Sequence, residues 1–332
     1  MTNVWTAFRP DVRGTYVERP NRFVVHVLID GEIVPAHCPN PGRLTELLFP
    51  GDTVILERAL GDRKLASTLV AVERRNTGGV TTIPLVSVRA NQAVGQLLLP
   101  RLFPGAKMMK PEFTLGTSRF DWLVEDAAGK RHLIEVKACS EVEYGTALFP
   151  DAPSARAKKH LEELAEWGDR EYEPHVIFAV VHGRPRSWGP NVHTDPAFAR
   201  TLAVLAPRLN LHAAVFETQP DGTTTLVNQD LPIIIPAETP DSGHLIRLDP
   251  EETGWKVTVD WLATAFERAA AKGPARRTFA IRGAQDLSAE SLAVLEACGA
   301  AQIGGTLVYS DDPRTNRAFV DAVMRWRHEG RA

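Results

Sequence analysis

Two short apolar stretches carry charged side chains where a buried strand would ordinarily carry none. They lie in SRFDWLVEDAAGKRHLIEVKA, residues 118–138, on either side of the turn-forming sequence DAAGK. The first stretch contains Asp121, and the second contains Glu135 followed two residues later by Lys137. Because an unpaired buried ion is costly, two carboxylates and an amine among aromatic and branched residues need a specific partner.

If residues 126–130 form the loop of a β-hairpin, Asp121 lies opposite Glu135, and Leu123 lies opposite Leu133. Directly opposed residues share a face of the sheet, with their Cβ atoms about 5 Å apart. The acidic pair and Lys137 then share one face, and a slip of one residue would reverse the faces of one strand. The other face is wholly apolar: Phe120, Trp122, Val124, Ile134 and Val136.

Carboxylates at this separation repel each other, and a cation between them removes the penalty. Oxygen ligands suit Mg²⁺ or Mn²⁺, which keep several waters and accept substrate phosphate. Lys137 lies roughly 7 Å along the same face from Glu135, at about 3.3 Å per residue. Its ammonium can orient a water or stabilise charge on a phosphate. Asp121, Glu135 and Lys137 are therefore candidate catalytic residues, and the two acids are candidate metal ligands.

This spacing resembles the D-x(n)-E-x-K arrangement of the PD-(D/E)xK phosphodiesterases. The tripeptide Glu-Val-Lys is weak evidence by itself, and the opposed aspartate strengthens it. The alternative is that Glu135 and Lys137 form a structural ion pair on the exposed face of an edge strand, because such pairs are common.

The overall composition is that of an ordinary globular protein. The 332 residues are 44% hydrophobic and 24% charged, enough for two or three domains. The formal net charge is −3, so nucleic-acid binding would require a local basic surface. No stretch approaches the ~20 apolar residues of a membrane helix, and the N-terminus lacks a signal-peptide pattern.

The cysteine pattern favours a reducing compartment. Cys38, Cys139 and Cys298 are far apart and have no CxxC spacing, which argues against a disulfide framework and against a structural zinc site. We therefore expect a cytoplasmic protein without a membrane partner. The pattern does not specify an oligomeric state.

Residues 1–100 are expected to form an OB-like domain. Five or so short strands with Gly/Pro turns occupy residues 20–100, including a hairpin with Asp30-Gly31 at its turn. This pattern is typical of a small closed barrel, and an open antiparallel sheet is the alternative.

Residues 101–232 are expected to form an α/β domain. The order β, β, α, β, α, β predicts helices packed on a mixed sheet, with one helix over 154–168 capped by Ser154. Residues 233–244 are punctuated by Pro and Gly and are interpreted as a linker.

An additional α/β segment of unknown role is predicted over 245–332. Strands are expected near Val257 and over 278–282 and 306–309. Helices are expected over three further ranges: 260–272, 288–298 and 313–328.

Several stretches in order resemble the sugar fermentation stimulation protein family (SfsA), over roughly residues 19–232. They are NRFVVHV (21–27), HCPNPGRL (37–44), AN (90–91), SRFDWLV (118–124), IEVKA (134–138), ALFPDAPSARAKKHLEEL (147–164) and DPAF (195–198). The resemblance implies an N-terminal OB-like domain, a central domain of PD-(D/E)xK nuclease type, DNA binding and a link to the regulation of sugar utilisation. Pro41 and Ala157 stand where the family commonly has Thr and Gly.

Carried over residue by residue, the resemblance implies Asp121, Glu135 and Lys137 as the metal and catalytic positions. Glu112, in KPEF, could add a metal ligand, or it could be a solvated loop residue. Five basic residues are candidates for nucleic-acid binding, three of them in an R-x-x-K-H pattern that could equally form a solvated helix face. These five are Arg22, Arg43, Arg156, Lys159 and His160.

The function expected from these observations is that of a DNA-binding protein with a Mg²⁺- or Mn²⁺-dependent phosphodiesterase site of nuclease type. One alternative is a DNA-binding regulator that keeps the nuclease fold without turnover. Another is the hydrolysis of a small phosphoester, which would lack the steep salt dependence of polynucleotide binding.

Overall fold

The chain forms two compact units, residues 1–191 with 197–239, and residues 192–196 with 240–332. Among the helices that the structure describes, none has the length and apolar character needed to cross a membrane. The computed structural model describes residues 3–40, 42, 44, 47–48, 50–59, 63–76, 79–143, 145–192, 194–235, 244–245, 279–282, 300–303 and 306–309.

The N-terminal part of the first unit is a closed barrel. Antiparallel pairing runs in the order β4-β3-β2-β5-β6, and β4 returns to β6 through His37 and Thr68, which closes the ring. The closure confirms the OB-like fold and makes the open-sheet alternative wrong. The strands are β1 (Val4–Thr6), which lies outside the ring, β2 (Val12–Asn21), β3 (Val24–Ile29), β4 (Glu32–His37), β5 (Thr53–Arg58) and β6 (Ser67–Asn76).

The hairpin between β3 and β4 turns where the sequence predicts. Ile29 pairs with Glu32, so Asp30 and Gly31 are the two loop residues. Their φ angles are 51° and 88°, both in the left-handed region that Asp and Gly tolerate best. The turn prediction is confirmed.

The barrel continues into a second sheet region. β7 (Gly79–Pro84) pairs with β6 and, through Thr82 and Thr218, with β15 (Asn210–Thr218). Within the described residues this makes one 13-stranded sheet. The barrel and the α/β part are therefore joined by backbone pairing.

The central sheet is mixed, as predicted. β8, β9 and β10 are antiparallel neighbours, and β10, β13 and β15 are parallel neighbours. Its further strands are β8 (Met108–Leu115), β9 (Ser118–Glu125), β10 (Arg131–Cys139), β13 (Glu173–Val180) and β16 (Thr223–Asn228). A smaller sheet contains β11 (Glu141–Glu143), β12 (Thr146–Phe149) and β14 (Ser187–Pro190).

Helices cover both faces of the central sheet. One face packs against α1 (Ser87–Ala93), the π-helical turn Val94–Leu98 and α2 (Leu99–Leu102). The opposite face packs against α3 (Ala155–Gly168) and α4 (Pro196–Leu205), which is followed by the 3₁₀ turn Ala206–Arg208. This confirms the α/β prediction.

The predicted helix over 154–168 is confirmed as α3. The Ser154 side chain accepts a hydrogen bond from the amide of Ala157 at 3.1 Å, which satisfies one of the unpaired donors of the first turn. The apolar stripe is buried against the sheet: Ala157, Leu161, Leu164 and Ala165.

The predicted hairpin register is confirmed up to Trp122 and Ile134, but the predicted pairing of Asp121 opposite Glu135 does not form. Leu133 pairs with Leu123, and Ile134 pairs with Trp122, where the β9–β10 pairing ends. Phe120 packs in the same cluster as Leu123 and Leu133, so its placement on the Trp122 face is wrong. The alternation changes at Asp121, whose side chain accepts the Val136 amide that regular pairing would direct to the β9 backbone.

The described C-terminal strands form a separate sheet in the order β17-β18-β20-β19. The strands predicted over 278–282 and 306–309 are confirmed, and the other elements predicted beyond residue 245 lie outside the described residues. At the start of the interpreted linker, the Ile234 amide donates to the Trp188 carbonyl at 2.8 Å, and residues 236–243 lie outside the described residues. The strands are β17 (His244–Leu245), β18 (Phe279–Arg282), β19 (Ala300–Ile303) and β20 (Thr306–Tyr309).

A row of histidines crosses three neighbouring strands of the central sheet. His132 Nδ1 lies 3.0 Å from His175 Nε2, and His175 Nδ1 lies 3.0 Å from His212 Nε2. Asp126 Oδ2 lies 3.3 Å from His132 Nε2 at one end of the row. A neutral imidazole has one donor and one acceptor, so the row is satisfied when its central histidine is neutral. Burial, with the charges of His212 and His132, lowers the pKa of His175 to about 3.

We therefore expect His175 to reduce stability in acid. As the pH falls below about 6.5, His175 takes up a proton in the unfolded chain but stays neutral in the folded chain. The resulting loss in the free energy of unfolding is about 2 kcal/mol between pH 7 and pH 5. Urea denaturation of the wild type and of His175→Gln at both pH values measures this difference.

The surface variant His26→Gln serves as the control and should keep the wild-type pH dependence. An equal loss of stability in His175→Gln and in the wild type would contradict the assignment.

Candidate active site

Asp121 is held at the end of the β9–β10 pairing by two donors. Its Oδ2 accepts the backbone amide of Val136 at 2.7 Å, and its Oδ1 accepts the side-chain amide of Asn91 at 2.7 Å. The carboxylate is partly buried. Each oxygen has a second acceptor position, which remains for a ligand.

Glu135 lies next to Asp121, on the interior strand β10, and is only 4% exposed. Its Oε1 accepts hydrogen bonds from Lys137 Nζ and from His160 Nδ1, both at 2.6 Å. Its Oε2 is buried and has no hydrogen-bond partner among the residues that the structure describes. A buried carboxylate oxygen without a partner is costly, and a cation would satisfy it.

The two carboxylates differ in their electrostatics. Burial, reinforced by the nearby charge of Glu135, raises the pKa of Asp121 to about 7. Burial also opposes ionisation of Glu135, but Lys137 and His160 outweigh it and hold the pKa of Glu135 below its ordinary value. At neutral pH Glu135 is ionised and Asp121 is close to its midpoint, so added positive charge is favoured here.

The Glu135–Lys137 ion pair is buried. Lys137 is 9% exposed, and β10 lies between β9 and β13. The alternative of a solvated pair on an edge strand is therefore wrong. A buried ion pair contributes little net stability, because desolvation of both charges offsets their attraction.

The chemistry of these side chains decides whether they could hold a divalent cation. In the described ranges, no three His, Cys, Asp or Glu side chains form a group that could hold a metal on their own. Two carboxylates, one of which has an unsatisfied buried oxygen, still fit Mg²⁺ or Mn²⁺. Mg²⁺ is commonly held by one or two carboxylates and keeps several waters.

Glu112 occupies the β8 position across from Asp121, but its side chain is exposed. It lies on β8 with a φ of 54°, between the pairs Pro111–Trp122 and Phe113–Phe120. Its side chain is 68% exposed and lies 3.5 Å from Arg119. The structure therefore does not bring Glu112 together with Asp121 and Glu135.

A basic depression adjoins the acidic pair. It has a volume of about 490 Å³ and lies between the start of β9 and the first turns of α3. Arg119, Arg156, Lys159 and His160 line it. Arg156 and Lys159 are exposed, whereas His160 is 6% exposed.

His160 connects the depression to the acidic pair. Its Nδ1 bonds to Glu135 at 2.6 Å, and Arg156 Nε donates to its Nε2 at 3.4 Å. The structure thus brings together the R-x-x-K-H residues and the E-x-K residues, which are separate in sequence.

Arg22, one of the two basic residues predicted on the barrel, is not part of this depression. Arg22 lies in the turn between β2 and β3, with its guanidinium 5.0 Å from the centre of the Phe23 ring. Phe23 is itself 50% exposed. Arg43 lies outside the described residues.

Sequence reasoning missed the surroundings of Asp121. Asn91 contacts Asp121 directly, and Trp122 Nε1 donates to Asn91 Oδ1 at 2.5 Å. Arg119, two residues before Asp121, lines the depression. The sequence signal that could have indicated Asn91 is a polar residue beside Ala90 and Ala93, which are buried on α1.

Comparisons with known proteins agree with this architecture. Residues 17–81 match the SfsA N-terminal OB domain, and residues 88–222 match the sugar fermentation stimulation protein RE domain. A sugar fermentation stimulation protein homolog of Methanothermobacter thermautotrophicus is 39% identical over 197 residues, covering 58% of this chain and 79% of that protein. The chain belongs to the sugar fermentation stimulation protein family. This confirms the predicted membership.

Two further comparisons support the family and the fold. The homolog of Pyrobaculum arsenaticum is 39% identical over 195 residues, covering 58% of this chain and 82% of that protein. The solved structure of SfsA from Pyrococcus furiosus, in complex with Ca²⁺, covers 70% of this chain and 100% of its own. Its TM-score is 0.60 at 23% identity, a likeness that supports the fold alone.

Proposed function

We propose that this chain is a DNA-binding protein with a Mg²⁺- or Mn²⁺-dependent phosphodiesterase site. The observation that carries the proposal is the position of His160, which bonds to Glu135 with one nitrogen and lines a basic depression. Buried Glu135 is thereby linked to a surface whose charge suits a phosphate backbone. Membership of the family supports a further link to the regulation of sugar utilisation.

Asp121 and Glu135 would hold the divalent cation. The unpartnered Oε2 of Glu135 and the raised pKa of Asp121 support this assignment. Glu112 would join them only if its exposed side chain moved inward. When bound, the cation would supply a Lewis acid at the phosphate. The Ca²⁺ complex of Pyrococcus furiosus SfsA supports a divalent cation for this fold.

Lys137 has the role of a positioned cation. Its ammonium is fixed by Glu135 at 2.6 Å and is buried, so it stays in place without a bound substrate. From there it orients an attacking water or stabilises negative charge that develops on the phosphate.

The basic depression would hold the phosphate backbone. Arg119, Arg156 and Lys159 offer charged donors at its surface, and phosphate contacts of this kind position a duplex or single strand without reading sequence. A local surface is required because the chain as a whole carries a net charge of −3.

The domains divide these roles. Residues 1–100, the OB-like domain, would add nucleic-acid contacts through Arg22 and Arg43. Residues 101–232 would carry the phosphodiesterase site, and residues 245–332 remain without an assigned role.

A non-catalytic DNA-binding regulator is the second candidate. The observation that favours it is that Lys137 and His160 already satisfy one oxygen of Glu135, while no third acidic or imidazole ligand joins the pair among the described residues. Such a protein would bind DNA through the same basic depression.

Incubation of the protein with supercoiled plasmid and with single-stranded DNA separates these candidates. With Mg²⁺ or Mn²⁺ we expect cleavage, with EDTA we expect none, and the DNA affinity should fall steeply with salt. DNA binding without cleavage in any metal would support the regulator. Hydrolysis of a small phosphodiester without salt-dependent DNA binding would overturn both.

A further inference from the structure

Hydrogen bonds link the side chains of Trp122, Asn91 and Asp121. Trp122 Nε1 donates to Asn91 Oδ1 at 2.5 Å, and Asn91 Nδ2 donates to Asp121 Oδ1 at 2.7 Å. The three residues come from two elements, since Asp121 and Trp122 are neighbours on β9 and Asn91 lies on α1.

The chemistry of the three groups leaves only one orientation for the amide. An indole N–H can only donate, so it requires the amide oxygen of Asn91. The NH₂ group of Asn91 must then point to the carboxylate, which accepts when ionised. Trp122 thereby fixes which end of the amide faces Asp121. In a flipped amide, the NH₂ group would face the indole N–H, and the amide oxygen would face the carboxylate.

The position of the indole is fixed by close packing. A Cβ atom at Gly95 would lie 2.2 Å from Cζ2 of Trp122, so the ring rests directly on a backbone without a side chain. Gly95 belongs to the π-helical turn Val94–Leu98 that follows α1. Such turns occur often at functional sites.

We propose that Asn91, oriented by Trp122, is a positioning residue that fixes the Asp121 carboxylate for a divalent cation. The inference rests on the proposed function, because it assigns Asn91 a role at the same metal site. Asn91 and the Val136 amide take one acceptor position on each oxygen and lock the carboxylate plane. The remaining acceptor positions of Asp121 are then available to a ligand. The carboxylate is already fixed, so it loses little rotational freedom when the ligand binds.

The test is calorimetric titration of metal-free protein with Mn²⁺. Asn91→Ala should weaken Mn²⁺ binding about 10- to 100-fold, the usual effect of removing a group that orients a metal ligand. Trp122→Phe, which keeps a ring but removes the indole N–H, should weaken it less, about 3- to 10-fold. Because Trp122 acts through Asn91, the double variant should bind Mn²⁺ no more than about twofold more weakly than Asn91→Ala.

Two matched variants control for structural damage, and one NMR signal reports the hydrogen bond between Trp122 and Asn91. Gln92→Ala alters the exposed neighbour on α1, and Trp167→Phe removes an indole N–H at the C-terminal end of α3; both should bind Mn²⁺ like the wild type. In metal-free Asn91→Ala, the Trp122 indole N–H signal in the NMR spectrum should move upfield and exchange faster with solvent.

The possible failures are distinct. If the wild type binds Mn²⁺ and both Asn91→Ala and folded Trp122→Phe bind it within twofold of the wild type, the positioning role is overturned and the metal site stands. Additive losses in the double variant would also overturn it. If the wild type binds no Mn²⁺, the proposed function fails together with this inference.

Discussion

Replacement of Asp121 by Ala is expected to lower DNA cleavage roughly 1000-fold and to change the affinity for DNA by less than about threefold. Glu135→Ala and Lys137→Ala should behave alike. In the proposed function the carboxylates would hold the cation and Lys137 would stabilise developing charge, whereas the basic depression would hold the DNA backbone. Cleavage of labelled DNA under single-turnover conditions, with binding measured in Ca²⁺ or EDTA, separates the two effects.

The matched variants should show the opposite pattern. Arg156→Ala and Lys159→Ala should weaken DNA binding and lower the dependence of log Kd on log salt by about one each. Glu162→Gln removes a carboxylate from the solvent-exposed side of α3 and should cleave DNA like the wild type. Wild-type cleavage by Asp121→Ala would exclude the assigned site.

Replacement of Lys137 by Met should have the largest effect on stability, a loss of roughly 3 kcal/mol in the free energy of unfolding at pH 8. The ammonium is removed while Glu135 remains buried and ionised, with His160 as its remaining donor. Urea denaturation at pH 5 and pH 8 measures the loss.

The loss should shrink at pH 5. In the wild type, Glu135 has a lowered pKa, so its contribution to stability is present above about 4.5 and is lost in stronger acid. Without Lys137, burial raises that pKa, and the folded variant takes up a proton as the pH falls towards 5. The penalty of an ionised Glu135 is then relieved.

The structure provides two controls for this prediction. Lys137→Met combined with Glu135→Gln should recover most of the stability, because no buried charge is left unpaired. Lys130→Met breaks an ion pair with Glu173 that has the same N–O distance of 2.6 Å, but Lys130 is 57% exposed. It should cost less than about 1 kcal/mol. A smaller loss in Lys137→Met than in Lys130→Met would contradict the buried-pair interpretation.

Local patterns accounted for much of this protein. The Asp30-Gly31 turn, the Ser154 cap and the apolar stripe of α3 are encoded within a few residues of each other, so they follow from the sequence. The hairpin register followed in the same way from a short loop and period-two alternation. That register brings Asp121 and Glu135 to the end of the hairpin pairing, although the two residues are not themselves a pair.

Tertiary packing decided what surrounds the carboxylates. Asn91 reaches Asp121 from 30 positions away, and His160 reaches Glu135 from 25 positions away. The sequence placed Phe120 on the wrong face, because the break in alternation at Asp121 depends on the neighbouring strand. It also left Glu112 open as a ligand, because the exposure of that side chain depends on how β8 pairs with β9.

By itself, then, the sequence determined the hairpin strands and their register, because these depend on side-chain alternation and turn chemistry along adjacent residues. Only the tertiary structure decided the depth of burial, the donors to each carboxylate oxygen and the basic surface beside them. Those features arise where helices distant in sequence close over the sheet, and no local pattern encodes the direction from which a side chain on another element arrives.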